Sequence, residues 1–140
     1  MASGSRERWI LLYDADCGFC KWIMSGILAW DRHSRLLPRA LQSGQAEVLL
    51  GDLGPEERLA SVHLISPDGE RLAAGAALAP LLRLLPGGTI PALGIARLPR
   101  LSGRAYGWVA KHRSQLSRAV PTTVKRRASA RVSRAEVERR

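Results

Sequence analysis

The apolar run 9-WILLY-13 breaks at the turn-forming 14-DADCG-18, and the chain then enters a long apolar stretch, 17-CGFCKWIMSGILAWDRH-33. This junction narrows the choice of folds more than anything else in the chain. Five consecutive apolar residues bounded by a turn fit a strand buried on both faces. The stretch after it is too long for a strand, and Phe19, Ile23, Ile27 and Trp30 recur at intervals of three to four, which predicts a helix with that stripe facing the core. Asp16 is the expected N-cap. A buried strand feeding a helix is the opening of an α/β unit, and both cysteines of the chain, Cys17 and Cys20, sit in the first turn of that helix.

Downstream, 36-LLPRAL-41 reads as a second strand that Pro38 confines to a sheet edge, and 43–60 as one or two short helices broken between Gly51 and Pro55. The segments 61-SVHLI-65 and 70-ERLAA-74 flank 66-SPDG-69 and predict an antiparallel hairpin. Helices follow at 76–85, 90–98 and 102–118, the last with Ser102 as cap and Ala105, Trp108, Val109 and Leu116 toward the core. Strand, helix, strand, helices, hairpin and further helices describe an α/β sandwich of the thioredoxin type, a small mixed sheet covered by helices with extra helices at the C-terminal end. Pattern alone leaves ferredoxin-like and flavodoxin-like arrangements open. The expected organisation is an N-terminal extension over 1–8, one domain over 9–118 and a tail over 119–140.

The tail stands out by charge. The chain carries a net +10, of which residues 1–110 contribute +2 and residues 111–140 contribute +8. The segment 121-PTTVKRRASARVSRAEVERR-140 has no aromatic residue and is rich in Arg, Ser and Ala, which predicts a solvated, disordered tail. Its arginines have the charge for weak, salt-sensitive contact with nucleic acid or another acidic surface. With no aromatic residue to stack on bases, a specific single-strand reader is disfavoured. Val132, Ala135 and Val137 keep a short partner-binding helix open. The start, MASGSRER, lacks a signal-peptide core, and no run of roughly 18 apolar residues occurs. A soluble, cytoplasmic protein without a membrane span is expected. In a reducing compartment a close Cys pair is more often catalytic or metal-binding than a static disulfide.

Cysteines at i and i+3 of a first helical turn share a face and can close a disulfide with little backbone movement. The helix N-terminus favours a thiolate, so Cys17 is the candidate nucleophile and Cys20 the thiol that resolves the mixed disulfide. Asp14 and Asp16 oppose this by raising the thiol pKa, with Lys21 a partial compensation, which predicts a moderate thiolate and a reducing couple. Asp14 is also a candidate proton acceptor for the Cys20 thiol, next to an ordinary turn or capping role. Two buried, inert core thiols are the plain alternative. Metal binding is not expected. Cys20 and His33 have zinc-finger spacing, but the next histidine is His63, thirty positions on, and the chain has only two cysteines and three histidines.

The segment Asp14-Ala15-Asp16-Cys17-Gly18-Phe19-Cys20 after 10-ILLY-13 resembles the DxxCxxC signature of the DCC family of thiol-disulfide oxidoreductases. Far downstream, 105-AYGWVAKHR-113 is similar to the family's late Tyr-x-x-Val/Ile-Ala-x-x-Arg helix, so the resemblance spans about residues 9–116. It implies a thioredoxin-like fold and dithiol-disulfide exchange of the protein-disulfide reductase type. The implied site is Cys17 and Cys20 with Asp14, no cofactor, and a thiol- or disulfide-containing protein or small molecule as substrate. Two departures stand out. The chain has 73-AAGAA-77 where family members often carry a Ser-Asp-Ala-like step, and no proline directly precedes 61-SVHLI-65 to present a substrate peptide as in thioredoxins. The reading from a different class is a binding module or redox sensor that uses the basic tail.

Overall fold

The computed structural model describes residues 8–59 and 61–139. The predicted N-terminal extension, apart from Arg8, lies outside the described residues. The first strand, β1 (Trp9–Tyr13), is central, as its sequence demands. Leu11 and Tyr13 point to one face of the sheet, Ile10 and Leu12 to the other, and Leu11 and Leu12 are fully buried. Strand β2 (Leu36–Ala40) pairs parallel with β1 at the sheet edge, where Pro38 costs no ladder bond to a further strand. On the other side β3 (His63–Ile65) runs antiparallel to β1, and β4 (Arg71–Ala73) antiparallel to β3, giving the order β2-β1-β3-β4. The hairpin turn closes through Gly69 at a φ of 91°. This is an α/β fold of the thioredoxin-like kind, as the element order predicted.

One sheet face is covered by α1 (Gly18–Trp30) and α4 (Gly75–Leu84), the other by the short α2 (Gly44–Leu49) with its neighbour α3 (Pro55–Leu59) between α2 and β3. Met24, Leu28, Leu81 and Leu84 close the first core with Leu11, Leu36 and Leu64, while Ala46 and Leu50 close the second with Leu12 and Ile65. Two more helices, α5 (Thr89–Arg97) and α6 (Pro99–Ala119), follow. Between α4 and α5 the chain turns through Gly88, where a Cβ would lie 1.9 Å from the Leu82 carbonyl oxygen, so no other residue fits.

Several expectations need correction. The tail is not a disordered segment: α7 (Thr122–Glu138) forms there and lies along α1. Ala128, Val132 and Ala135, at intervals of three to four, are buried, the last two in the first core, and the arginines between them project outward. A narrow stripe of small apolar residues was enough to anchor a helix that composition alone reads as solvated. The helix is fixed by polar contacts too. The Tyr13 hydroxyl donates to Glu136 Oε1 at 2.7 Å, and Arg139 reaches Asp31 Oδ2 at 2.8 Å. Burial, chiefly, pushes the Tyr13 phenol well above its ordinary pKa. Asp31, buried at the C-cap of α1, also accepts from the backbone N–H groups of Arg35 and Leu36, tying α1 to β2.

The core stripe of α1 is also displaced. Met24, Ser25 and Leu28 are buried, whereas Ile23 is 43% exposed and Trp30 is 40% exposed, its indole N–H donating to the Pro86 carbonyl. Helix α6 starts at Pro99, three residues before the expected cap, and buries none of its residues fully. Trp108, expected in the core, is 57% exposed and stacks on His112.

Candidate active site

The end of β1 delivers Asp14 to the top of α1, and a compact hydrogen-bonded loop sets the entry to the helix. The Cys17 N–H donates to the Asp14 carbonyl at 3.3 Å, and the Asp16 N–H to Asp14 Oδ1 at 2.9 Å. Gln42, just beyond β2, braces the loop from outside. Its amide donates to Asp14 Oδ1 and Asp16 Oδ2, and its carbonyl oxygen accepts from the Ala15 N–H. With Asp16 engaged in this way and exposed, the helix is not capped by Asp16 as expected. Cys17 is the N-cap, and its sulfur accepts the Cys20 N–H at 3.2 Å.

Both thiols are free, and Cys20 Sγ lies 2.6 Å from Cys17 Sγ and donates to it. The consequence for proton affinity is opposite at the two sulfurs. Cys17 is lowered to about 6, first because the Cys20 thiol donates to it, then through the Cys20 N–H and the nearby Arg113, against the opposing effects of burial and Asp14. Cys20 is raised far above the ordinary thiol range, because its proton is held by Cys17 and because it is buried beside that sulfur. A thiolate forms at one defined atom of the pair.

Sequence reasoning assigned no role to Arg113, yet its guanidinium faces Asp14 Oδ2 across 3.7 Å and lowers the proton affinity of both cysteines. It supplies the positive charge that was expected of Lys21, which instead donates to Ser129 Oγ on α7. The expectation that the acidic neighbours restrain the thiolate is thereby weakened at Asp14, whose carboxylate already has a cation. Asp14, Cys17 and Cys20 are brought together as predicted from sequence, but Asp14 takes its described hydrogen bonds from nitrogen donors of Asp16 and Gln42.

The two distant sequence segments meet here. Tyr106, Val109, Ala110 and Arg113 form one stripe of α6 and face Phe19, Cys20, Ile23 and Ile27 of α1 across a cavity of about 360 Å³. Of the inward residues expected on α6, Trp108 turns outward, whereas Ala105 also lines the cavity and Val109 belongs to this stripe. The signal that could have found it was the late motif itself, whose Tyr, Val, Ala and Arg recur at the i, i+3, i+4, i+7 spacing of one helix face. At the cavity wall the Tyr106 hydroxyl accepts the Val62 N–H at 2.9 Å. On the opposite flank of α1, α7 passes so near Gly18 that a Cβ there would lie 2.9 Å from Lys125 Cδ.

A thioredoxin-like sheet that presents a CxxC pair at the start of its first helix is an arrangement suited to thiol-disulfide redox chemistry. Residues 11–119 match the DCC1-like thiol-disulfide oxidoreductase family, and the chain belongs to that family. No curated protein and no solved structure gives a match. Membership supports a thiol-disulfide redox function and thiol or disulfide substrates. Among the described residues, no helix is long and apolar enough to cross a membrane.

Proposed function

We propose that the protein is a thiol-disulfide oxidoreductase that turns over by dithiol-disulfide exchange at Cys17 and Cys20. The observation that carries this reading is the polarised pair, in which Cys17 Sγ accepts both the thiol and the N–H of Cys20. The Cys17 thiolate attacks one sulfur of a substrate disulfide, the substrate S–S bond breaks, and the leaving thiolate takes up a proton. Cys20 then gives up its proton and attacks Cys17 Sγ, closing the Cys17–Cys20 disulfide and releasing the second substrate thiol. The substrate gains two electrons, the pair loses two, and an external dithiol returns the pair to its reduced form. Asp14 acts as a positioning residue that holds the loop and Arg113. To serve as a base for Cys20 it would exchange one of those partners for the sulfur.

Stabilising the Cys17 thiolate favours the reduced pair and so moves the couple in the oxidising direction. The test is a titration in glutathione and dithiothreitol buffers, with disulfide formation followed by mass. Interconversion is expected, and its absence at every accessible potential overturns the reading. The Cys20→Ser variant accumulates a mixed disulfide at Cys17, and trapping only in Cys17→Ser reverses the two roles. The alternative of a binding module has the exposed Arg126, Arg127, Arg131 and Arg134 of α7 as its support. Their charge suits acidic partners, but it leaves the polarised thiols without a use.

A further inference from the structure

The cavity beside the pair has a chemical character of its own. Phe19, Ile23 and Ile27 line one side, and Leu78, Val109 and Ala110 the other. Its charged members, Asp14 and Arg113, face each other as an ion pair, so the wall offers a ligand no unbalanced charge. Cys20 forms part of the wall, with Cys17 Sγ 2.6 Å from its sulfur. At Val62, on the cavity wall, the backbone is already paired. Val62 has its N–H held by the Tyr106 hydroxyl and its carbonyl by the Ala74 N–H, so neither is left to pair with an extended substrate chain. A volume of about 360 Å³ is at the lower end for small-molecule pockets and, at roughly 30 Å³ per heavy atom, holds about ten such atoms.

We infer that the cavity binds the neutral, apolar arm of a low-molecular-weight disulfide or thiol and brings its sulfur to Cys17. This rests on the exchange reading and specifies its substrate class. For a dialkyl disulfide, the arm enters the cavity while Cys17 attacks, giving Cys17–S–S–alkyl and one alkanethiol. Cys20 then releases the second alkanethiol and leaves the protein disulfide. Each additional methylene buried in the transition state raises the rate roughly fourfold.

The experiment measures second-order rates of oxidation of the reduced, full-length protein by di-n-butyl disulfide, bis(2-hydroxyethyl) disulfide, oxidised glutathione and a disulfide-bonded protein. The expected result is a rate with the butyl compound at least about tenfold above that with each of the others, after correction for their reaction with free dithiothreitol. In Ala110→Leu and in Val109→Phe, either of which fills the cavity, the butyl-to-hydroxyethyl ratio falls toward one, with circular dichroism checking that each variant is folded. Equal rates in the wild type, a preference for glutathione or for the protein disulfide, or a ratio unchanged in both folded variants overturns the inference while leaving exchange itself standing. No reaction with any disulfide overturns the exchange reading, and the inference with it.

Discussion

The two flanks of α1 are built to opposite ends. Against α7 the helix presents Gly18 and Lys21, met by Lys125 and Ser129, and the two helices lie side by side, with Ser25 of α1 and Ala128 of α7 both buried. Against α6 it presents Phe19, Ile23 and Ile27, which are larger and more apolar, yet the facing stripe leaves a cavity of about 360 Å³. Apolar bulk is thus spent where the helix is least covered, and small residues where it is covered best. The closed flank supplies stability, and the open flank leaves a space next to a reactive sulfur.

The contrast can be broken by placing the same charge on each side. Val132→Asp puts a carboxylate in the core beneath α7 and costs about 3 kcal/mol or more in urea unfolding, whereas Val109→Asp, on the open flank, costs less than about 1 kcal/mol. Similar losses at both positions would remove the distinction. A smaller effect comes from Arg139→Met, which leaves the Asp31 carboxylate buried without its guanidinium. Because two backbone N–H groups remain on Asp31, about 2 kcal/mol is expected, read from the same unfolding curves.

The open flank also has a signature in pH. Cys17 ionises at about 6 in the folded reduced protein, against roughly 8.5 for a free thiol, so thiolate absorbance rises with a midpoint near 6. Between these values the unfolded chain binds the extra proton. The Cys17 contribution to the stability of the reduced form is therefore fully present above the unfolded value and is lost as pH falls through about 6. Cys20, whose proton is held in the folded state, makes stability fall again as pH rises past the unfolded thiol value. Cys17→Ser flattens the slope on the acid side, and Arg113→Met moves the midpoint upward. The smallest expected change is a gain. Ala74, at the start of the cavity-lining α4, adopts a φ of 52° and gives the helix no side-chain cap. Ala74→Gly relieves that conformation and raises stability by about 0.5–1 kcal/mol, seen as a higher Tm.

The sheet was legible in the sequence because each strand reports its own surroundings. WILLY is apolar on both faces because both faces are buried, Pro38 marks an edge, and SPDG with its glycine at positive φ marks the hairpin. The cysteines and Asp14 were legible because local spacing places them. What was not legible depends on contacts distant in sequence. The apolar stripe on α1 was read as core because periodicity does not distinguish a face packed against the sheet from one lining a cavity. The part of Arg113 became visible only when α6 was laid across α1. The order of α7 was hidden for a related reason, since Ala128, Val132 and Ala135 are too few to outweigh the surrounding arginines until the flank that receives them is known.

Helix α7 also bears on how the chain matures during synthesis. It is made more than 90 residues after the start of α1, which it covers, and its last anchor, Arg139, grips Asp31 and the Leu36 carbonyl. At translation rates of about 5–20 residues per second, the sheet and first helix are outside the ribosome for several seconds before that cover arrives. During this interval the flank of α1 next to Cys17 and Cys20 is bare to solvent, and the nascent chain passes through a stage in which its thiols meet oxidants and other cysteines without the finished protein's packing around them.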